Sequence, residues 1–165
     1  MMNLTIVGTG YVGLVTGVCF AEFGYSVTCI DKDTERLEKL KSGTCPFFEP
    51  GMDKLLDKHI NKTKLLSFAS SIKNNSENTD IFFITVGTPT RRLEDEADLS
   101  FVWQVADEIS DSIKKYCLVV TKSTVPVGTT SKVKKIISNK VDQKFFDVVS
   151  NPEFLREGSA IDDFI

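Results

Sequence analysis

The chain has 165 residues, 41% of them hydrophobic and 26% charged, with a net charge of −3. That is enough apolar material for one domain with a sizeable core, and it excludes an intrinsically disordered chain. The acidic balance leaves no basic footprint for nucleic acid or an anionic membrane surface, and no apolar run reaches the ~20 residues that span a bilayer.

A strand is expected almost at once, with no charged leader before it, so the location expected is cytoplasmic. Leu4, Ile6 and Val7 form a short apolar run that Gly8-Thr9-Gly10-Tyr11-Val12-Gly13 follows immediately. In such a hexad Gly8 serves a tight turn, Gly10 leaves room for a pyrophosphate, and Gly13 lets a helix pack closely on the strand. The helix expected next is apolar on nearly every side over residues 14–23 and closes at Gly24, so it should be buried. Its free N-terminal amides and positive dipole end would face the phosphates. Strand 26–30 then carries Asp31, about twenty residues past the glycines, where an acid meets the ribose hydroxyls of NAD and repels the 2′-phosphate of NADP. Lys32 and Arg36, both cationic, weigh the other way.

Residues 33–41 place Leu37 and Leu40 on one side of a short surface helix that ends near Gly43. The prolines of Cys45-Pro46-Phe47-Phe48-Glu49-Pro50-Gly51 exclude a helix interior. A second amphipathic helix is expected over about 52–60, then a strand over 65–68. His59, the only histidine, stands among lysines and reads as a solvated surface residue. A short helix or loop over 70–78 leads to the run 80–86, which is apolar enough for a central parallel strand covered on both faces.

Gly87-Thr88-Pro89-Thr90 ends that strand where open α/β sheets bind ligands, so Thr88 should face the dinucleotide. Residues 91–98 read as a solvated loop, with Asp98 capping a helix that puts Leu99, Val102, Ala106, Ile109 and Ile113 on one face. Strand 117–121 turns out through Lys122-Ser123-Thr124-Val125-Pro126-Val127-Gly128-Thr129-Thr130. A helix with Val133, Ile136 and Ile137 inward follows, then a last strand over 145–149 and the segment 150–160. Strands alternate with helices throughout, which gives the α/β class: a Rossmann-like, doubly wound, mostly parallel sheet with helices on both faces. The four cysteines, Cys19, Cys29, Cys45 and Cys117, lack metal-ligand spacing and read as reduced packing residues; no metal is expected.

With Gly8 to Gly13, Gly87-Thr88-Pro89, Ser123 to Thr129 and Asn151-Pro152-Glu153-Phe154-Leu155-Arg156-Glu157 in this order, the whole chain resembles the amino-terminal domain of the UDP-glucose/GDP-mannose dehydrogenase family. The resemblance implies NAD as cofactor and a two-step oxidation of a sugar C6 alcohol to a carboxylate, through an aldehyde and a cysteine thioester. It implies that Val12, Asp31, Arg36, Thr88, Thr124 and Glu157 contact NAD, beside Gly8, Gly10, Tyr11 and Gly13 of the loop. Glu153, Phe154, Leu155 and Arg156 would border a nucleotide sugar, and Thr124 and Glu153 would hold the hydrolytic water, with Glu153 taking its proton. UDP-glucose is favoured because Val127-Gly128 fits that branch better than the GDP-mannose branch; a GDP-mannose or N-acetylated-sugar enzyme and a free-standing NAD-binding module stay open. Position 36 is Arg where bacterial members usually carry Lys, which keeps the charge and alters donor geometry. None of the four cysteines stands in the context of the family's nucleophile. Residues 1–165 are therefore expected to be the cofactor domain of a longer, homo-oligomeric enzyme, inactive alone.

Overall fold

A computed structural model describes residues 1–73, 75–89 and 97–165. Six parallel strands form one sheet: β1 (Asn3–Val7), β2 (Ser26–Ile30), β3 (Leu66–Ala69), β4 (Ile81–Ile84), β5 (Cys117–Thr121) and β6 (Phe146–Ser150). Their spatial order is β3-β2-β1-β4-β5-β6. The chain winds outward from β1 to β3, crosses back, and winds the other way from β4. The crevice between β1 and β4 is thus the topological switch point, where open α/β sheets take their ligands.

Among the described residues six α-helices flank the sheet: α1 (Tyr11–Glu22), α2 (Thr34–Lys41), α3 (Met52–Asp57), α4 (Ser100–Ser112), α5 (Thr129–Ser138) and α6 (Ala160–Phe164). Successive strand residues point to opposite faces, and the core divides accordingly. Leu4, Ile6, Val27, Cys29 and Phe83 join the buried residues of α1, α3 and α6 in one cluster. Val7, Ile30, Phe82, Ile84 and Val119 join those of α4 and α5 in the other. This is the doubly wound architecture expected from the alternation of strands and helices.

Helix α1 is buried along most of its length, as its all-round apolar sequence requires. Gly17 adds a second point of close approach: a β-carbon there would lie 2.6 Å from the Cys29 sulfur. Asp33 caps α2 by accepting the Arg36 N–H at 3.0 Å. Helix α4 begins at Ser100 with Leu99 at its boundary and no side-chain cap; Asp98, expected to cap it, stands one residue earlier and accepts the Ser100 N–H at 3.0 Å. Strand β3 begins at Leu66 and β6 at Phe146, each one residue later than expected, and a 3₁₀ turn (Gln143–Phe145) precedes β6. Thr90 and most of the expected solvated loop, residues 91–96, lie outside the described residues.

One expectation is overturned. His59 is buried, not solvated, with 1% of its surface exposed. Beyond α3 the chain continues in a π-helical turn (Lys58–Lys62). There the imidazole meets the Glu22 carboxylate of α1 through Nε2 at 2.6 Å and the Thr63 hydroxyl through Nδ1 at 3.0 Å. Lys58 donates to the same carboxylate at 2.7 Å. These hydrogen bonds, Lys58's first and His59's second, hold the Glu22 carboxyl below its ordinary value. Lys54, Lys62 and Lys64 are solvated, whereas the ring and the half-buried Lys58 share a polar tie between α1 and the α3 extension.

No helix among the described residues is long and apolar enough to cross a membrane.

Candidate dinucleotide site

A cleft of about 830 Å³ opens at the carboxyl ends of β1, β2, β3 and β4, with α4 as its far wall. Gly8, Gly10, Asp31, Lys32, Arg36 and Thr88 are among its lining residues. Its volume falls within the ~300–1,000 Å³ typical of ligand pockets.

The glycine loop is shaped by three separate constraints. Gly8 turns with φ +105°, and a β-carbon there would come within 2.8 Å of the Thr85 carbonyl oxygen on β4's exit. At Gly13 a β-carbon would lie 1.9 Å from the Gly8 carbonyl oxygen, so α1 can sit this close only without one. At Gly10 a β-carbon would meet nothing within 4 Å. The fold itself therefore places no demand for glycine there, and the empty space faces the cleft. Gly10 also forms the N-terminal boundary of α1 and has no side chain to cap it. Uncapped first-turn amides beside open space suit a diphosphate. The chain had not marked Thr85, whose hydroxyl lies 2.9 Å from the Val7 and Gly8 carbonyl oxygens and pins the loop to β4. A lone hydroxyl at the end of an apolar strand was the available signal.

Asp31 reaches the loop from β2. One carboxylate oxygen accepts the Thr9 N–H at 2.8 Å, the Thr9 hydroxyl at 2.6 Å and Arg36 Nη1 at 3.2 Å. The other accepts the Asp33 N–H at 3.0 Å. Burial pushes this carboxyl up, but the hydrogen bonds from Thr9 and Asp33 and the Arg36 charge together outweigh it and hold the group below its ordinary value. An ionised acid thus lines the cleft at neutral pH.

Thr124 and residues 153–157 lie beyond this lining, and Thr88 connects the two. The Thr88 hydroxyl donates to the Thr124 carbonyl at 3.1 Å, joining the exits of β4 and β5. Ser123 donates to the Val86 carbonyl at 2.7 Å and reinforces the joint. Lys122, buried, donates to Asn151 Oδ1 at 3.3 Å and so ties β5's exit to β6's. Burial holds its ammonium below the ordinary lysine value, an effect the Glu153 charge partly offsets. Glu153 itself accepts the Leu155 N–H at 2.6 Å. Phe154 is exposed, Leu155 packs against the first core cluster, and Arg156 forks onto Asp163 with its shortest contact at 2.6 Å.

Glu49 is the residue that reading the sequence passed over. It is buried, and its carboxylate accepts the Tyr11 hydroxyl at 2.5 Å, the Gly158 N–H at 2.9 Å and the Ile161 N–H at 3.3 Å. The Tyr11 hydroxyl also lies 3.2 Å from the Arg156 carbonyl. Burial, followed by the Glu49 hydrogen bond, pushes the Tyr11 phenol up to about 12. For Glu49, burial is again outweighed by its donors, and the carboxyl stays below its ordinary value. The segment carrying residues 153–158 is thereby clasped to the first residue of α1. Glu49→Ala would take the acceptor from the buried Ile161 N–H, while the Gly158 N–H keeps the Tyr11 hydroxyl at 3.1 Å and Tyr11 keeps the Arg156 carbonyl, and should cost about 1–2 kcal/mol in urea denaturation. Because the folded-state value is depressed, the clasp is at full strength above the ordinary glutamate pKa of about 4.3 and weakens only as pH falls through the lower folded value. A stability deficit of the variant that persisted undiminished far into acid would contradict this account.

Cys19, Cys29 and Cys117 are buried and Cys45 partly so, all as free thiols. Burial pushes the first two up to about 12 and Cys117 to about 11, far from thiolate reactivity.

The model of the UDP-glucose/GDP-mannose dehydrogenase family's NAD-binding domain matches residues 2–165. The chain belongs to this family. A UDP-glucose 6-dehydrogenase of Rhizobium meliloti is 49% identical over 163 residues, covering 99% of this chain and 37% of its own length. Among solved structures, a UDP-glucose dehydrogenase from the hyperthermophilic archaeon Pyrobaculum islandicum superposes with a TM-score of 0.92 at 40% identity, over 99% of this chain and 38% of that one. A GDP-mannose dehydrogenase from Pseudomonas aeruginosa gives the same TM-score at 35% identity, with the same coverage of both chains. The chain thus spans little more than a third of these family members. The part it shares with them is their NAD-binding fold, and the glycine loop, Asp31 and open cleft fit that cofactor.

Proposed function

We propose that this chain is the cofactor-binding part of a UDP-glucose 6-dehydrogenase, which converts UDP-glucose, two NAD⁺ and water to UDP-glucuronate and two NADH. One observation carries the reading: the switch-point cleft, with its phosphate-ready loop and ionised Asp31, is joined through the Thr88–Thr124 hydrogen bond to the strand exits that lead to Glu153. When bound, NAD⁺ supplies the hydride acceptor.

In this reading the loop from Gly8 to Gly13 offers its amides to the diphosphate, and Asp31 and Arg36 take the adenosine ribose. Thr88, Thr124 and Glu157 border the nicotinamide half, while residues 153–156 form one wall of the sugar pocket. Glu153 accepts the proton of the water that completes the second oxidation, and Thr124 helps hold that water. Among the solved structures, the identity of 40% to an enzyme named for UDP-glucose, against 35% to one named for GDP-mannose, supports the choice of sugar. The four free thiols suit a reducing, cytoplasmic compartment.

Burial pushes all four thiols up, which supports reading the nucleophile as lying outside this chain. The 165-residue chain with UDP-glucose and NAD⁺ should therefore form no NADH, whereas the protein extended through its downstream reading frame should form two per sugar and turn over GDP-mannose poorly. Steady turnover by the short chain, or a preference for GDP-mannose in the long one, would refute the proposal.

A further inference from the structure

The charged rim of the cleft is balanced by pairs. Asp31, Lys32, Arg36 and Glu108 all line it, two acids and two cations. Discrimination between NAD⁺ and NADP⁺ turns on the ribose 2′ position, where a phosphate would seek Lys or Arg and avoid carboxylates. In this chain Asp31 engages Arg36 at 3.2 Å, and Arg36 Nη2 lies 3.7 Å from Asp33. Among the described residues that line the cleft, that leaves Lys32, which directly follows Asp31, as the other cation able to serve a 2′-phosphate.

Lys32 is held by a residue from the opposite wall. Its ammonium lies 2.7 Å from Glu108 Oε1, a contact that joins the end of β2 to α4 across 76 positions in sequence. Gln104, one turn earlier on α4, donates to the same Glu108 oxygen at 3.1 Å and fixes the carboxylate. All three side chains line the cleft, beside Phe101 and Val105 of the same helix. With side-chain exposures of 63% and 35%, the pair is too solvated to matter much for stability. Its effect lies in where it puts charge.

We propose that Glu108 is a specificity residue that works with Asp31: by engaging Lys32 across the cleft, it withholds that cation from a 2′-phosphate and so enforces the preference for NAD⁺. Asp31 repels the extra phosphate, and Glu108 removes the compensation that Lys32 would give it. The inference rests on this cleft being the NAD⁺ site.

Calorimetric titration of the 165-residue chain with NAD⁺ and with NADP⁺ tests both layers separately. The parent chain should bind NAD⁺ more tightly. Glu108→Gln should raise the ratio of NADP⁺ to NAD⁺ affinity about tenfold, the order expected when one ammonium is released beside a phosphate dianion near the surface. The gain should shrink in high salt. Glu108→Lys should move the ratio further the same way, and the double variant Lys32→Met with Glu108→Gln should return it to the parent value. A ratio within twofold of the parent in both single variants, or a gain that survives loss of Lys32, would overturn the proposal. A parent chain that took up neither nucleotide would overturn the cleft assignment itself, and the proposal with it.

Discussion

Gly13→Ala should unfold the domain far more readily than one added methyl group suggests. The new β-carbon would lie 1.9 Å from the Gly8 carbonyl oxygen and 2.6 Å from the Thr85 hydroxyl. The first neighbour is backbone, held in a turn whose own amide donates to Ile30 at 2.8 Å, so it cannot swing aside as a flexible side chain would. Relief requires α1 to lift from β1, which uncovers Leu14, Val15 and Val18, all fully buried. Overpacking this severe should cost ~3 kcal/mol, the upper end of the usual range. For a domain of this size that lowers the melting temperature by about 6–12 °C. A calorimetric scan showing the variant within two degrees of the parent would mean that α1 is not seated on the loop as described.

Gly10→Val should do the reverse, leaving the fold in place and abolishing cofactor binding. The backbone at Gly10, with φ −66° and ψ −173°, is open to any residue, and its β-carbon would meet no atom within 4 Å. Valine is a poor helix boundary residue, which costs about 1 kcal/mol at most. Its branched side chain would nonetheless stand in the space a diphosphate needs beside the first-turn amides. The expected result is a loss of NAD⁺ affinity of about 100-fold or more, equivalent to about 2.7 kcal/mol, with a cooperative melt close to the parent's. Titration that showed unchanged affinity would remove the diphosphate from this loop. Two glycines three positions apart thus separate stability from binding.

The sequence made the β1-α1-β2 unit legible because each of its signals is local. An apolar run too short for a helix, a glycine hexad and an all-round apolar helix each follow from neighbouring residues. The parallel sheet followed in the same way from alternation. His59 failed because its lysine neighbours were weighed above its spacing: Met52, Leu56 and His59 fall at i, i+4 and i+7, and all three are buried. The helical period had placed the imidazole inward, where Glu22 meets it. Glu49 could not be read at all. Its partners Gly158 and Ile161 lie 109 and 112 residues away, and nothing in the local pattern distinguishes an acid between Phe48 and Pro50 that is buried from one that is solvated. The pairing of Lys32 with Glu108 was hidden for the same reason. It depends on α4 standing across the cleft from β2, which only the assembled sheet determines.

The clasp formed by Glu49 also sets where the domain can be cut. Any shorter version ending before Gly158 would strip the carboxylate of its backbone donors and leave Tyr11 alone to answer a buried negative charge. It would also remove Phe164, whose ring lies 5.3 Å from that of Phe20 and edge-on to it, and so bare an aromatic face of α1. For anyone wishing to graft this module onto another protein, a piece cut at β6 is therefore too short, and one that reaches through α6 keeps both contacts.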